Sequence, residues 1–185
     1  RLNNISQTLG LQDDVESFIG VIYNSHREAL PAFPSQSTTI TREQVFQGYA
    51  FSQSRLFVGV ELSSTLVSHE AAHLMLGALM QGRIAAVPTW LNEGFASYMQ
   101  GDSYRFSGVE SGSLPLSSMR SMPGRPQDIR LFYDKSESVV RYMLENHGPR
   151  KCRTLLMSLK QSLELDKALI DAYGFDVDGL EERWQ

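Results

Sequence analysis

The sequence predicts an α+β fold, with a small mixed β-sheet first and a mainly helical second half. Three short apolar runs in the first third are typical of buried strands: residues 17–23, 44–50 and 55–60. Beyond residue 132, apolar residues recur with the helical period, most clearly in 134–147 and 150–163. With 185 residues, 42% hydrophobic and 21% charged, the chain has the composition of one globular domain that buries its own core.

Two short helices are predicted around the first strand. The first covers residues 1–14, with Gly10 as its stop, and the second covers residues 24–33, where prolines end it. His26 lies in the second helix, far in sequence from the other histidines. We expect it to be an exposed or capping residue.

A longer helix is predicted from about residue 64 to Met80, and it contains His-Glu-Ala-Ala-His at residues 69–73. His69 and His73 then stand one turn apart, with Cβ atoms about 5–6 Å from each other. Both imidazoles can therefore reach a single Zn²⁺ at about 2.0–2.1 Å. Glu70 is rotated off that face, where it can act as general base on a metal-bound water. Two histidines of an ordinary helix would give the same pattern, so a third ligand is needed.

Glu93 is the candidate third ligand, in the helix predicted between Pro88 and Gly101. Two histidines and one carboxylate, with a fourth position open, form a catalytic rather than a structural zinc site. Gly94 costs this helix about 1 kcal/mol relative to Ala. We expect it because the helix must approach the histidine helix closely. Ser97, one turn after Glu93, is a candidate to support a ligand. The alternative is an ordinary amphipathic helix with an exposed glutamate.

The two motifs together resemble those of a known family. His-Glu-x-x-His, followed by Trp-Leu-Asn-Glu-Gly-Phe-Ala-x-Tyr at 90–98, is similar to the gluzincin metallopeptidases, particularly the aminopeptidase-N type and the compact peptidase-MA-like domains. The resemblance implies a thermolysin-like metallopeptidase domain with one Zn²⁺ per chain. Its ligands would be His69, His73 and Glu93, and Glu70 would be the catalytic base.

A candidate oxyanion donor follows from the same resemblance. Relatives of the aminopeptidase type use a tyrosine in a Tyr-Glu-Lys-Gly stretch, and Tyr133 stands in the corresponding place in Tyr-Asp-Lys-Ser. His147 is the competitor, because thermolysin-like enzymes use a histidine. Its position before Gly148 is more typical of a helix C-terminus.

Two features of those aminopeptidases are missing: the Gly-x-Met-Glu-Asn strand that holds the substrate amino terminus, and a large amino-terminal β-domain. The sequence therefore favours a zinc-dependent endopeptidase, with an aminopeptidase as the alternative. An alternative of another class is a non-catalytic, zinc-containing peptide-binding module, and a metal-free helical interaction domain is a further one.

The organisation predicted is a single catalytic domain over residues 1–185. Residues 1–101 form a sheet lobe with the zinc-binding helices, and the edge for an extended substrate is expected within residues 48–60. Residues 102–131, rich in Ser, Gly, Pro and Arg, form a long loop that is either a rim or lid of the substrate cleft or a disordered excursion. A short helix is expected within it at 114–119. Residues 132–185 form a helical lobe.

Three capping positions are also predicted. Ser63 or Ser64 would cap the histidine helix, Asp166 a helix ending at Tyr173, and Asp176 or Asp178 the last helix.

The expected partner is a peptide or protein substrate. A net charge of −4 gives no reason to propose nucleic acid, and no apolar run approaches the ~20 residues that span a bilayer, so no membrane contact is expected within this chain. Because the chain begins at Arg1, we expect a domain excised from a longer secreted or membrane-anchored protein. The single cysteine, Cys152, excludes an internal disulfide and is expected to be a buried apolar residue.

Overall fold

Within the described part of the chain, a three-stranded mixed sheet forms the first layer. The computed structural model describes residues 7, 9–10, 17–34, 47–101 and 114–185. The strands are β1 (Ile19–Tyr23), β2 (Gly48–Phe51) and β3 (Leu56–Val60). Their order is β1-β3-β2, with β3 parallel to β1 and antiparallel to β2. The predicted mixed sheet is thus confirmed, but β3 is central. The edge for an extended substrate was expected within residues 48–60. In the described part of the sheet, β2 is the strand of this range that lies at an edge.

Each face of the sheet packs on a helical element. A helical turn, α1 (His26–Ala29), continues as a 3₁₀ turn at Leu30–Ala32 and covers one face through a small apolar cluster. The other face packs on the histidine helix, α2 (Ser64–Met80). A Cβ at Gly48 would lie 2.4 Å from Glu70 Oε1, and one at Gly59 2.5 Å from Leu66 Cδ2. The sheet therefore approaches α2 this closely only because these residues are glycines.

The caps of α2 and the next helix follow the sequence closely. Ser63 precedes α2, and its Oγ accepts a hydrogen bond from Leu66 N at 3.0 Å, as predicted. Helix α3 (Thr89–Gln100) begins directly after Pro88 and ends at Gly101, whose φ is +78°.

The second half is helical, with boundaries that differ from the prediction. Helix α4 (Pro126–Ser162) begins eight residues before residue 134, because Pro126 at its first position and Asp128 in its first turn favour an N-terminus there. It is broken at Gly148, with φ 81° and ψ 163°, where the predicted helix end falls. The brief helix expected at 114–119 is a 3₁₀ turn, Leu116–Ser118.

Parts of three predicted segments lie outside the described residues. These are 44–46 of the second predicted strand, 102–113 of the long loop and most of the helix predicted at 1–14. Within the latter, Leu9 is buried in the larger core and Gly10 has a φ of +63°.

Two short helices, α5 (Leu165–Tyr173) and α6 (Val177–Trp184), end the chain. Asp176 caps α6 by accepting a hydrogen bond from Gly179 N at 2.9 Å, as predicted. The prediction for Asp166 is wrong: Glu164 is the residue before α5, and Asp166 accepts a hydrogen bond from Val177 N at 3.1 Å. Asp166 therefore stabilises the N-terminus of α6 rather than that of its own helix. This contact forms only when α5 and α6 pack together.

The larger core lies among α2, α3, α4, α5 and α6. Trp90, Phe95 and Phe132 are its largest fully buried side chains, and Cys152 is 1% exposed, as expected for an apolar role. No described helix is both long and apolar enough to cross a membrane.

Candidate metal centre

Helices α2 and α3 bring two histidines and one carboxylate together. His69 Nε2 and His73 Nε2 lie 3.4 and 3.5 Å from Glu93 Oε2. The donor atoms of the three residues all lie within 4.8 Å of one another. Tetrahedral ligands at about 2.0–2.1 Å from zinc stand about 3.3 Å apart, so this spacing fits one zinc ion. Glu93 Oε2 is also buried, and no described group hydrogen-bonds to it, as expected of an atom whose partner is a metal. The three residues thus fit a zinc site.

The charges within this cluster stabilise one another. Burial alone would lower the pKa of His73, but the charge of Glu93 and its contact with the imidazole outweigh it, and with Glu70 and Asn92 they raise that pKa to about 9. Burial alone would raise the pKa of Glu93, but the charge of His73 and the contacts with both histidines hold it well below its ordinary value. Glu93 is therefore an anion at neutral pH, as a metal ligand must be.

Side-chain amides orient both imidazoles. His69 Nδ1 lies 3.0 Å from Gln100 Oε1, and His73 Nδ1 lies 2.9 Å from Asn92 Oδ1. An amide oxygen accepts a hydrogen from Nδ1, so Nε2 is the nitrogen that faces the cluster and would bind a metal once it has lost its proton. Ser97, the predicted support for a ligand, is not the Nδ1 partner of either imidazole. The sequence could have indicated both amide partners, since Asn92 directly precedes Glu93 and Gln100 follows it by two helical turns.

Glu70 lies beside the three residues without joining them. Its side chain is buried, its Oε2 has no hydrogen-bond partner among the described groups, and its Oε1 lies over Gly48 of β2. Burial raises the pKa of Glu70, an effect that His73 and His69 oppose and Glu93 reinforces. A carboxylate with a raised pKa is better able to accept a proton near neutral pH.

Tyr133 reaches the same cluster from α4. Its ring centroid lies 6.5 Å from that of His69. Burial raises the pKa of Tyr133 well above its ordinary value, and the negative charges of Glu93 and Glu70 raise it further. The hydroxyl therefore keeps its proton and can donate it in a hydrogen bond.

The competing residue, His147, lies in a different environment. Its ring packs against Tyr142, Tyr173 and Phe175, with centroid separations of 5.5, 5.3 and 6.2 Å. Burial, with the charge of Lys151, lowers the pKa of His147, so it is a neutral member of an aromatic cluster rather than the cation expected at a helix end. Of the two candidate donors, the structure brings only Tyr133 to the histidines.

Gly94 permits a close approach, but not to the helix that we expected. A Cβ at this position would lie 2.2 Å from the carbonyl oxygen of Ser136 in α4. The prediction that Gly94 faces the histidine helix is therefore wrong. Because Glu93 precedes Gly94, the contact sets the distance between this candidate ligand and the helix that carries Tyr133.

The composition of this site fits a catalytic zinc centre: three candidate ligands, an adjacent buried carboxylate and a tyrosine hydroxyl. The model of the peptidase MA superfamily matches residues 43–185, so the chain belongs to this superfamily, whose members are usually zinc-dependent metallopeptidases. No curated protein and no solved structure gives a significant match to the chain.

Proposed function

We propose that the protein is a zinc-dependent metallopeptidase that hydrolyses internal peptide bonds. The observation that carries the proposal is the convergence of His69, His73 and Glu93 at the spacing of zinc ligands, with Glu70 buried beside them. Membership of the peptidase MA superfamily supports the same class of reaction. When bound, the zinc ion would polarise the scissile carbonyl and make water a better nucleophile.

The residues of the chain have separate roles in this proposal. Glu70 accepts the proton of the attacking water and transfers it to the leaving amine, for which its raised pKa is suited. Tyr133 donates a hydrogen bond to the oxyanion that forms at the attacked carbonyl carbon. Gln100 and Asn92 hold the imidazoles in the tautomer that presents Nε2.

The edge of β2 supplies a binding track for the substrate backbone. Gln47 O accepts a hydrogen bond from Val60 N at 2.8 Å, and antiparallel pairs alternate between bonded and non-bonded rungs. Since Gly48 pairs with Gly59 and Ala50 with Phe57, the backbone groups of Gly48 and Ala50 point away from β3. An extended peptide can add there as a further strand, directly beside Glu70.

The endopeptidase mode is favoured over the aminopeptidase mode by the sequence of this strand. Residues 48–51 read Gly-Tyr-Ala-Phe and contain no carboxylate that could bind a substrate amino terminus. A substrate with a blocked amino terminus would therefore bind as well as one with a free amine.

The test is Glu70→Gln, assayed with an internally quenched peptide library whose amino termini are acetylated. We expect about one zinc per chain in both proteins, and loss of hydrolysis in the variant only. Zinc-replete wild-type protein that cleaves only free-amine peptides would establish an aminopeptidase. Peptide binding by both proteins without cleavage would establish the non-catalytic module.

A further inference from the structure

A buried cation that the proposed chemistry does not use lies two residues after Tyr133. Lys135 is only 5% exposed. Its ammonium group donates hydrogen bonds to the carboxylate of Glu181 in α6 and, at 2.7 Å, to the carbonyl oxygen of Leu114. It also lies 5.1 Å from the centroid of the Trp184 ring. Lysines are almost never this buried unless they are paired, so this one has a specific structural task.

Glu181 also links Lys135 to α3, the helix that carries Glu93. The second oxygen of its carboxylate accepts a hydrogen bond from Leu116 N at 3.0 Å. A few residues later in that segment, the carbonyls of Met119 and Arg120 accept hydrogen bonds from Trp90 N and Thr89 N, each at 3.2 Å. Thr89 and Trp90 form the first turn of α3, one turn before Glu93.

The turn that carries Tyr133 is therefore held from two sides. On one side, the carbonyl of Ser136 lies against Gly94 of α3. On the other, α6 holds the turn through the pair Lys135–Glu181, and Trp184 Nε1 donates a hydrogen bond to Ser138 Oγ at 3.1 Å.

We propose that Glu181 and Lys135 are positioning residues for the reaction, and that α6 is part of the catalytic unit although it supplies no reacting group. The ion pair fixes the turn of Tyr133 relative to α3, and so fixes the distance between the donor hydroxyl and the metal ligands. A displacement of 1 Å in such a distance can lower the rate by about 100-fold. An ion pair that holds the turn in place from outside the site therefore supports the reaction. This inference rests on the proposed function.

The chain contains a matched control for Lys135. Lys160 lies in the same helix, and its ammonium group also donates to one backbone carbonyl, Leu79 O at 2.9 Å, and to one side-chain oxygen, Gln81 Oε1 at 2.8 Å. These acceptors lie at the C-terminal end of α2, away from the histidines. Lys135→Met and Lys160→Met therefore each remove two hydrogen bonds from one lysine ammonium group, at opposite ends of one helix, and only Lys135→Met also removes an ion pair.

For Lys135→Met and Glu181→Gln, we expect kcat to fall by at least about tenfold, with KM within about twofold and zinc content unchanged. Lys160→Met should keep kcat within about twofold. A kcat within twofold of wild type in either test variant, or an equal loss in the control, overturns the proposal.

Should a single variant fail to fold, the double variant Lys135→Met/Glu181→Met replaces the pair by apolar side chains and is expected to fold. Its kcat should stay low, and full recovery of kcat also overturns the proposal.

A double-mutant cycle separates positioning from a general structural role. If Glu181 acts through Tyr133, Glu181→Gln should change kcat by less than about twofold in a Tyr133→Phe background. The same factor in both backgrounds would show that Glu181 acts by some other route.

A readout that does not depend on activity distinguishes this inference from the proposed function. With 3-fluorotyrosine incorporated at position 133, we expect the ¹⁹F resonance to shift in Lys135→Met and to stay in place in Lys160→Met. An unmoved resonance in Lys135→Met refutes the positioning role, whatever the activity of the protein. Absence of peptidase activity in zinc-replete wild-type protein refutes the proposed function, while a shifted resonance would still show that Lys135 positions Tyr133.

Discussion

Gly48→Ala should displace the proposed general base while leaving the metal site intact. The added Cβ would lie 2.4 Å from Glu70 Oε1 and 2.8 Å from its Cδ, whereas ordinary contacts begin at 3.4 Å. The carboxylate must therefore move by about 1 Å, a displacement that costs about 100-fold in kcat, or about 2.7 kcal/mol of transition-state stabilisation. The three atoms nearest to the new methyl group belong to Glu70 and Leu66 rather than to the candidate ligands His69, His73 and Glu93, so zinc should remain bound.

Gly59→Ala is the control for this prediction, since Gly59 pairs with Gly48 and faces the same helix. Its Cβ would meet Leu66 Cδ2 at 2.5 Å, the end of a flexible side chain rather than the base. Both variants should lose about 1–3 kcal/mol of stability from overpacking, but only Gly48→Ala should lose most of its kcat. The assays are hydrolysis of a blocked fluorogenic peptide, zinc content by plasma mass spectrometry, and thermal unfolding. Wild-type kcat in Gly48→Ala, or an equal loss in Gly59→Ala, would refute the role of the contact with Glu70.

Three further predictions concern single side chains. Tyr133→Phe should lower kcat by about 10²–10³-fold with KM nearly unchanged, because a donor to the oxyanion acts in the transition state; steady-state kinetics showing a change in KM alone would contradict this. Gln100→Leu should weaken zinc binding by about 10–100-fold in a chelator competition, because His69 loses the partner that orients it, and an unchanged affinity would exclude that role. Cys152 should resist alkylation at pH 8 in the folded protein and react on unfolding, because burial raises the pKa of its thiol to about 12; rapid labelling of the native protein would contradict this.

The local features of the site could be predicted from sequence because they depend on helical geometry. The spacing of His69 and His73 places them on one face of any helix, and Ser63 can cap that helix with its own side chain. The mixed sheet and the strand segments were also predicted, since apolar runs of this length reflect burial directly.

The relative placement of elements was harder to predict because it depends on contacts between distant segments. The sequence could not show that β3 is central and β2 lies at the edge, since both are short apolar strands. The role of Asp166 was predicted wrongly for a similar reason: its partner, Val177 N, lies eleven residues away, across a turn between two helices.

The sequence by itself determined the chemistry available to this protein: the histidine pair, the adjacent glutamate, the second glutamate and the family to which the chain belongs. Each of these depends on residue type and on spacing within one helix, which the period of 3.6 residues fixes in advance. The tertiary structure decided which groups support that chemistry. Gly94 meets α4 rather than α2, and Tyr133 rather than His147 reaches the histidines. These outcomes depend on how helices pack against one another, which is set by side-chain contacts between segments far apart in sequence.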